Sequence, residues 1–215
     1  MNAAADLFVD VFAVEHRLKA LGLTTEILLD AVRAGLDGRI GCTELDPPMF
    51  PGQTMWAHTL RRLRQRTALH RWTPNNDGNY CVALSPDESV AVAVSTGNEN
   101  TGRSNATPTT KSRKGPRTAE VVAANQLLLD LRIPGEDPFS VDSNLGQRET
   151  WMLLIHMDRE EVRSELSLPL DIDQFDFVTG WRERIILPTI DFNPEQVVLP
   201  VDDSPDIDIE VRRRG

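Results

Sequence analysis

The sequence predicts an α+β protein in which an N-terminal three-helix part packs on a mainly antiparallel β-sheet. In the first third of the chain, the apolar residues recur every three to four positions, and after residue 71 they alternate with polar residues in several short segments. The first spacing is that of an amphipathic helix, and the second is that of a strand with one buried face. Turn-forming residues separate the alternating segments, which favours antiparallel connections.

The first helix is predicted from about residue 4 to residue 20. Its apolar stripe begins with Leu7, Phe8, Val11 and Phe12, and such a stripe is expected to face the core. Gly22 follows the last apolar turn and is expected to end the helix.

Two further helices follow. A threonine at position 24 or 25 is expected to cap the second helix, which Gly35 and Gly38 would close. The third is predicted over 53–65, with Trp56 on its inner face. Its arginines would lie outside or to the side: Arg61, Arg62, Arg64 and Arg66.

The region from residue 72 to residue 94 predicts a β-meander. Turn-rich residues at 74–79 and 86–89 divide it into short strands, because Pro, Asn, Asp and Gly favour tight connections. A helix then begins with Thr118 as its cap and ends at Pro134.

The strongest strand prediction is the apolar run WMLLIHM at 151–157, which is suited to the centre of a sheet. The alternating segment 162–168 predicts a half-buried neighbour, with a turn at 158–161. Further strands are predicted over 178–187 and 207–211, the last as a charged edge strand.

The polar segment from residue 95 to residue 117 divides the chain into a helical and β-meander part (1–95), a basic loop (96–117) and an acidic α+β part (118–215). Residues 1–117 hold 14 Lys and Arg against 12 Asp and Glu, and residues 118–215 hold 9 against 21. Structureless loops beyond about 12 to 15 residues are uncommon, so we expect this one to be a disordered connector or a functional loop. Its cations either give a local basic surface or keep the loop solvated.

No familiar enzyme signature is present. The sequence lacks a phosphate-binding GxxxxGK[ST] motif, a GxGxxG turn, a GxSxG elbow and HExxH. The four histidines and two cysteines do not have zinc-site spacing. We therefore expect no metal, no cofactor and no catalytic residue that can be identified from spacing.

The sequence predicts a soluble, cytoplasmic protein. No run approaches the roughly 20 apolar residues of a membrane span, and the N-terminus lacks the pattern of a signal peptide. The two cysteines, Cys42 and Cys81, are expected to be reduced and part of the core.

The order of three helices and a meander is that of a winged helix-turn-helix domain. The third helix would then lie in the major groove of DNA, and the turn at 74–79 would act as the wing. The alternative is that the arginines of this helix solvate its outer face. The candidate nucleic-acid-binding residues are basic residues of this helix and of the loop: Arg62, Arg66, Arg103, Lys111, Arg113, Lys114 and Arg117.

Three phrases, GNENTG at 97–102, PTTKSRKGPRT at 108–118 and WRERIILP at 181–188, are similar to segments of an uncharacterised bacterial protein family. The resemblance implies neither an activity nor a role for any residue. The Thr, Asn, Gly and Lys residues of the loop supply many donors, a composition suited to phosphate contact. A flexible, exposed loop without a ligand has the same composition.

These observations favour a non-catalytic accessory protein that associates with DNA or RNA, or with a protein partner, through the basic loop and the Arg-rich helix. The alternative is an enzyme, a metal-dependent nuclease or another phosphate-handling hydrolase. Such a nuclease would need Glu149, Asp158 and Glu165 to converge at one end of the predicted strands. Solvated turn residues at strand ends would explain the same carboxylates.

Overall fold

A computed structural model describes residues 5–130 and 148–192. The helices are α1 (Val11–Ala20), α2 (Thr25–Ile40), α3 (Phe50–Ala68) and α4 (Pro116–Asp130). The strands are β1 (Asp6–Phe8), β2 (Thr73–Asn75), β3 (Val82–Leu84), β4 (Val90–Thr96), β5 (Glu149–Met157), β6 (Glu161–Ile172), β7 (Val178–Ile186) and β8 (Ile190–Asp191). The predicted helix end at Pro134 and the predicted strand at 207–211 lie outside the described residues.

The strands form one mixed sheet in the order β1-β7-β6-β5-β4-β3-β2, with β8 beside β6. Within the described residues, five strand pairs are antiparallel and two are parallel, β1 with β7 and β4 with β5. The predicted α+β class is therefore confirmed. Parallel strands need a crossover connection, and here the crossover between β4 and β5 contains the polar loop and α4.

The sheet is covered on both faces. Trp151, Leu153 and Ile155 of β5 belong to one core with apolar residues of α1, α2 and α3. Met152 and Leu154 point to the opposite face, where they pack with residues of α4 and β7. The run predicted as a central strand is thus buried on both sides. The described residues contain no helix long and apolar enough to cross a membrane.

The second face corrects the prediction that β6 is half-buried. Arg163, Glu165 and Ser167 alternate with its apolar residues, yet all three are buried. The loop after β4 covers them. The sequence pattern alone could not show this cover, because it comes from a distant part of the chain.

The N-terminal helix begins later than its apolar stripe predicted. Asp10 caps α1, and its carboxylate accepts from the backbone N–H of Phe12 at 3.0 Å. Val11 and Phe12 are 68% and 84% exposed, so they are not core residues. Leu7 and Phe8 belong to β1, which pairs in parallel with β7, a distant partner that local spacing does not reveal.

The second helix continues through the two glycines expected to end it. A Cβ at Gly35 would lie 2.0 Å from Thr59 Oγ1, and one at Gly38 would lie 2.6 Å from His58 Nδ1. These glycines therefore permit close packing of α2 against α3 rather than ending α2. Its cap is Thr24, as predicted.

The third helix is longer at both ends than the predicted 53–65. Trp56, expected on its inner face, is 38% exposed. The predicted meander is confirmed, since β2, β3 and β4 pair in antiparallel order. Its β4 also pairs with β5, so the meander is part of the large sheet.

Candidate functional site

Residues 97–115, which we call the crossover loop, are fixed to the sheet by buried arginines. Arg163 donates from Nε to the carbonyl of Thr101 at 3.0 Å and from Nη2 to that of Glu99 at 2.8 Å. Arg184 donates to the carbonyls of Ala106 at 2.7 Å and Arg103 at 3.0 Å. The loop predicted to be a disordered connector or a functional loop thus has a defined backbone path, held by polar contacts instead of apolar burial.

Glu165 provides the opposite charge for this cluster. Its carboxylate is 0% exposed and accepts from Arg184 Nε at 2.9 Å and Nη2 at 2.7 Å. It also accepts from the Gly102 N–H at 2.8 Å and the Ser167 hydroxyl at 2.7 Å. A buried carboxylate with this many donors is fully satisfied.

The second half of the crossover loop also contacts the sheet. Trp181 Nε1 donates to the carbonyl of Pro108 at 2.8 Å. The Lys111 N–H donates to the Thr96 carbonyl at 2.9 Å, and the Lys114 N–H donates to the Asp176 carbonyl at 2.7 Å. The bond from Lys111 places the loop beside the carboxyl end of β4 shortly before α4 begins.

A cavity of about 410 Å³ opens at this carboxyl end. Its volume is within the range of roughly 300 to 1,000 Å³ that is usual for small-molecule sites. The lining residues come from α3, the segment before β3, β4, the crossover loop, α4 and β5: Gln53, Trp56, Ala57, Asn79, Tyr80, Cys81, Ala93, Val94, Ser95, Ser112, Lys114, Thr118 and Met152.

The register of the strands creates this space. Val82, the first residue of β3, pairs with Ala93, so Val94 and Ser95 extend beyond β3. Ligands in open α/β sheets commonly bind outside the carboxyl ends of strands, next to a crossover connection. The β4–α4–β5 unit offers this arrangement.

The polar side chains of the cavity lining are neutral except for that of Lys114. Lys114 contributes an ammonium group, and no Asp or Glu belongs to the lining. Lys114 Nζ donates to Ser112 Oγ at 3.1 Å. Ser95 is 7% exposed, and within the described part of the chain its hydroxyl has no hydrogen-bond partner. Lys114 is the one charged residue among the described residues of the lining.

The predicted nucleic-acid-binding residues are distributed over two layers. Arg62 and Arg66 lie on α3, and the remaining five lie in or next to the crossover loop. Arg66 pairs with Glu26 at 2.7 Å and with Asp30 at 3.5 Å, so much of its charge is compensated. Lys114 lines the cavity. The exposed members of the set are Arg62, Arg103, Lys111, Arg113 and Arg117.

Two of the exposed arginines have local partners. Arg103 Nε donates to the Glu99 carbonyl at 3.1 Å, and Arg117 pairs with Glu120 at 2.5 Å. The neighbouring Arg64 donates to the Val82 carbonyl at 2.8 Å and to the Asn75 carbonyl at 2.8 Å. It therefore fastens α3 to the meander.

The carboxylates expected for a nuclease do not converge. Glu149 begins β5, and Asp158 follows its last residue, so the length of the strand, roughly 3.3 Å per residue, separates them. Glu165 is engaged by Arg184. Among the residues that the structure describes, no group of three His, Cys, Asp or Glu side chains could hold a metal ion.

His156 lies at the carboxyl end of β5, next to the crossover loop. Its Nδ1 is 3.3 Å from the Gly97 carbonyl, which assigns the proton to Nδ1. Burial lowers the pKa of His156, and the nearby Arg163 guanidinium acts in the same direction. The backbone N–H of Arg159 lowers the pKa of Asp158, and the Arg163 guanidinium adds to this effect. The ring is therefore neutral in the folded protein near neutral pH.

Sequence reasoning missed most of the cavity. Tyr80, Ser95 and Ser112 were not candidates, because each belongs to a different segment and none is part of a motif. One signal was available: a loop and a helix between two apolar strands can be a crossover, which places the loop at a strand's carboxyl end. Comparison with protein-family models, with curated proteins and with solved structures gives no match for this chain.

Proposed function

We propose that this protein binds a small organic anion in the cavity at the carboxyl end of β4. The observation that carries the proposal is the lining, which contains the Lys114 ammonium and, among the residues that the structure describes, no carboxylate. In a chain with 33 Asp and Glu residues, such a site favours a negatively charged ligand over a cation.

The apolar part of the lining supports an organic ligand rather than a bare ion. Trp56 and Met152 offer apolar surface, and the polar groups Ser112 and Lys114 stand close together. Small-molecule sites usually combine apolar walls with a few polar groups that fix orientation. An aromatic or aliphatic body with one acidic group fits this division.

Calorimetry with matched naphthalene compounds tests the proposal. We expect the wild-type protein to bind 1-naphthoate and naphthalene-1-sulfonate, and to bind neutral 1-naphthol more weakly. Lys114→Met should weaken binding of both anions by about tenfold or more, because charge-assisted hydrogen bonds contribute roughly 1.5 to 3 kcal/mol.

The matched control is Arg113→Met, which removes an exposed cation next to Lys114 that does not line the cavity. The affinity of this variant for the two anions should stay within about twofold of the wild-type affinity. Equal binding of the neutral and anionic compounds, or equal losses in the two variants, would contradict the proposal.

A second candidate is the nucleic-acid-associated accessory function. Its specific support is that Lys111, Arg113 and Arg117 are exposed on a segment whose backbone is anchored to the sheet. Ordered cations lose less conformational freedom when they contact phosphates than cations on a flexible chain do. With Arg62 on α3, they could contact DNA or RNA.

Salt-dependent binding of duplex DNA and of single-stranded RNA tests this candidate. Each phosphate neutralised on duplex DNA adds about 0.9 to the slope of log affinity on log salt. Changing Lys111, Arg113 and Arg117 to Ala should flatten that slope, whereas the exposed Arg159→Ala in the β5–β6 turn should not. Unchanged binding by the triple variant would reject this function without affecting the cavity proposal, because Lys114 is left intact.

A further inference from the structure

We infer that the acidic group accepted by the cavity is a phosphate monoester, so that the ligand is a small organic phosphate. This inference rests on the proposed function, since it names the chemical class of the ligand for the same cavity. Its basis is that one ammonium group and several hydroxyl groups line the same cavity: Lys114, Ser95, Ser112 and Thr118.

The donors are concentrated in one short stretch. Ser112 and Lys114 are in contact, with 3.1 Å between Oγ and Nζ, and Thr118 lines the same cavity one helical turn further on. Ser112 and Thr118 are buried. A carboxylate has two oxygens to satisfy, whereas a phosphate monoester has three terminal oxygens and a second negative charge. The number of donors fits the phosphate better.

The start of α4 adds a favourable field. The helix has 15 residues and begins at Pro116, so Thr118 lies in its first turn. The amino end of a helix carries a partial positive charge that stabilises anions. The Thr118 and Ala119 N–H groups donate to the Gly115 carbonyl, so the contribution of α4 is mainly its dipole and the Thr118 side chain.

An independent observation points to a ligand in the same cavity. Ser95 of β4 lines the same cavity, and its buried hydroxyl has no hydrogen-bond partner within the described residues. A buried hydroxyl without a partner is unfavourable, so a bound acceptor or a water bridging to one would stabilise the site. Together with Ser112 and Thr118, Ser95 gives the lining three hydroxyl-bearing residues from three segments of the chain.

The backbone around these donors is held in place. The Lys111 N–H bonds to Thr96 of β4, and the Lys114 N–H bonds to Asp176 of the β6–β7 turn. One strand and one turn of the sheet therefore position the donor stretch before any ligand is present. Pre-organised donors favour a ligand whose geometry requires several bonds at once.

The test compares three head groups on one ring: 1-naphthyl phosphate, 1-naphthoate and naphthalene-1-sulfonate. With the full-length protein at neutral pH, calorimetry should show 1-naphthyl phosphate binding about tenfold or more tightly than the other two. Ser112→Ala and Thr118→Val should each reduce phosphate affinity by about fivefold or more and change naphthoate affinity by less than about twofold.

A ³¹P NMR pH titration of the bound phosphate keeps the test independent of the variants. A nearby ammonium group should lower the second pKa of the bound monoester relative to the free compound. If naphthoate binds as tightly as the phosphate, or the second pKa does not fall, the phosphate inference is overturned and the organic-anion function stands. If none of the three anions binds, both are overturned.

Discussion

Removal of the Arg184 side chain tests the polar network that holds the crossover loop. Arg184→Met leaves the Glu165 carboxylate, which is 0% exposed, with only the Gly102 N–H and the Ser167 hydroxyl as donors. It also removes the donors to the carbonyls of Ala106 and Arg103. Breaking one side of a buried ion pair typically costs about 3 to 5 kcal/mol, a large share of the roughly 5 to 15 kcal/mol available to a domain.

Urea denaturation followed by tryptophan fluorescence measures this loss. The control is Arg148→Met, which breaks the pair of Arg148 with Glu88, both of them partly exposed to solvent, and should cost about 0 to 1 kcal/mol. Hydrogen exchange should accelerate at the Gly102 N–H in Arg184→Met and not in the control. If the two variants lose the same free energy of unfolding, the buried network does not hold the loop and the reasoning is refuted.

Three further predictions concern the helices and the sheet. Gly35→Ala should lower the free energy of unfolding by about 1 to 3 kcal/mol, because its Cβ would clash with α3. Gly41→Ala should cost less, because the nearest atom to its Cβ is 3.5 Å away. Equal denaturation midpoints of the two variants would contradict this packing. In urea denaturation, Arg64→Ala should lower the free energy of unfolding by about 1 to 3 kcal/mol, because it loses hydrogen bonds to backbone carbonyls. Arg62 is exposed, and Arg62→Ala should lower it by less than about 0.5 kcal/mol. Because burial lowers the pKa of His156, the unfolded state takes up its proton first as pH falls, so stability should drop from about pH 7.5 to about pH 5.5. The thermal midpoint of His156→Gln should fall less than that of the wild type over this interval. If the two pH profiles are parallel, His156 is not a buried neutral ring.

The sequence was most informative where short-range patterns decide the structure. The meander and the β5 strand followed from alternation, apolar runs and turn residues, and these patterns depend only on neighbours in the chain. A threonine cap at position 24 or 25 was predicted for the same reason, since a cap acts within one helical turn, and the structure has it at Thr24.

The predictions were wrong where a segment that is distant in the sequence determines the local structure. Leu7 and Phe8 have helical spacing, but the edge of β7 binds them as a strand. Gly35 looked like a helix end, although contact with Thr59 requires a residue without a side chain there. Glu165 looked solvent-facing until the crossover loop, 63 residues from it at Gly102, covered it.

The cavity could not be read from the sequence for the same reason. Its lining combines six segments, and only Lys114 stood out as a candidate. The loop composition correctly indicated many donors. Which of them line the cavity depends on the parallel pairing of β4 with β5, a contact between two strands that are distant in the sequence.

The most direct test of the cavity as a ligand site uses its own cysteine. Cys81 lines the cavity and is half-buried, whereas Cys42 is buried and lies outside the lining. Alkylation of the two thiols by iodoacetamide, followed by peptide mass spectrometry, reports on each separately. Adding 1-naphthyl phosphate or 1-naphthoate at about ten times its dissociation constant should slow alkylation of Cys81 by about tenfold, because the rate follows the fraction of sites that stay unoccupied. The alkylation rate of Cys42 should change only as much as the general stabilisation of the protein by the ligand explains. If either anion saturates the protein while Cys81 reacts at its original rate, the ligand binds elsewhere and the account of this cavity is contradicted.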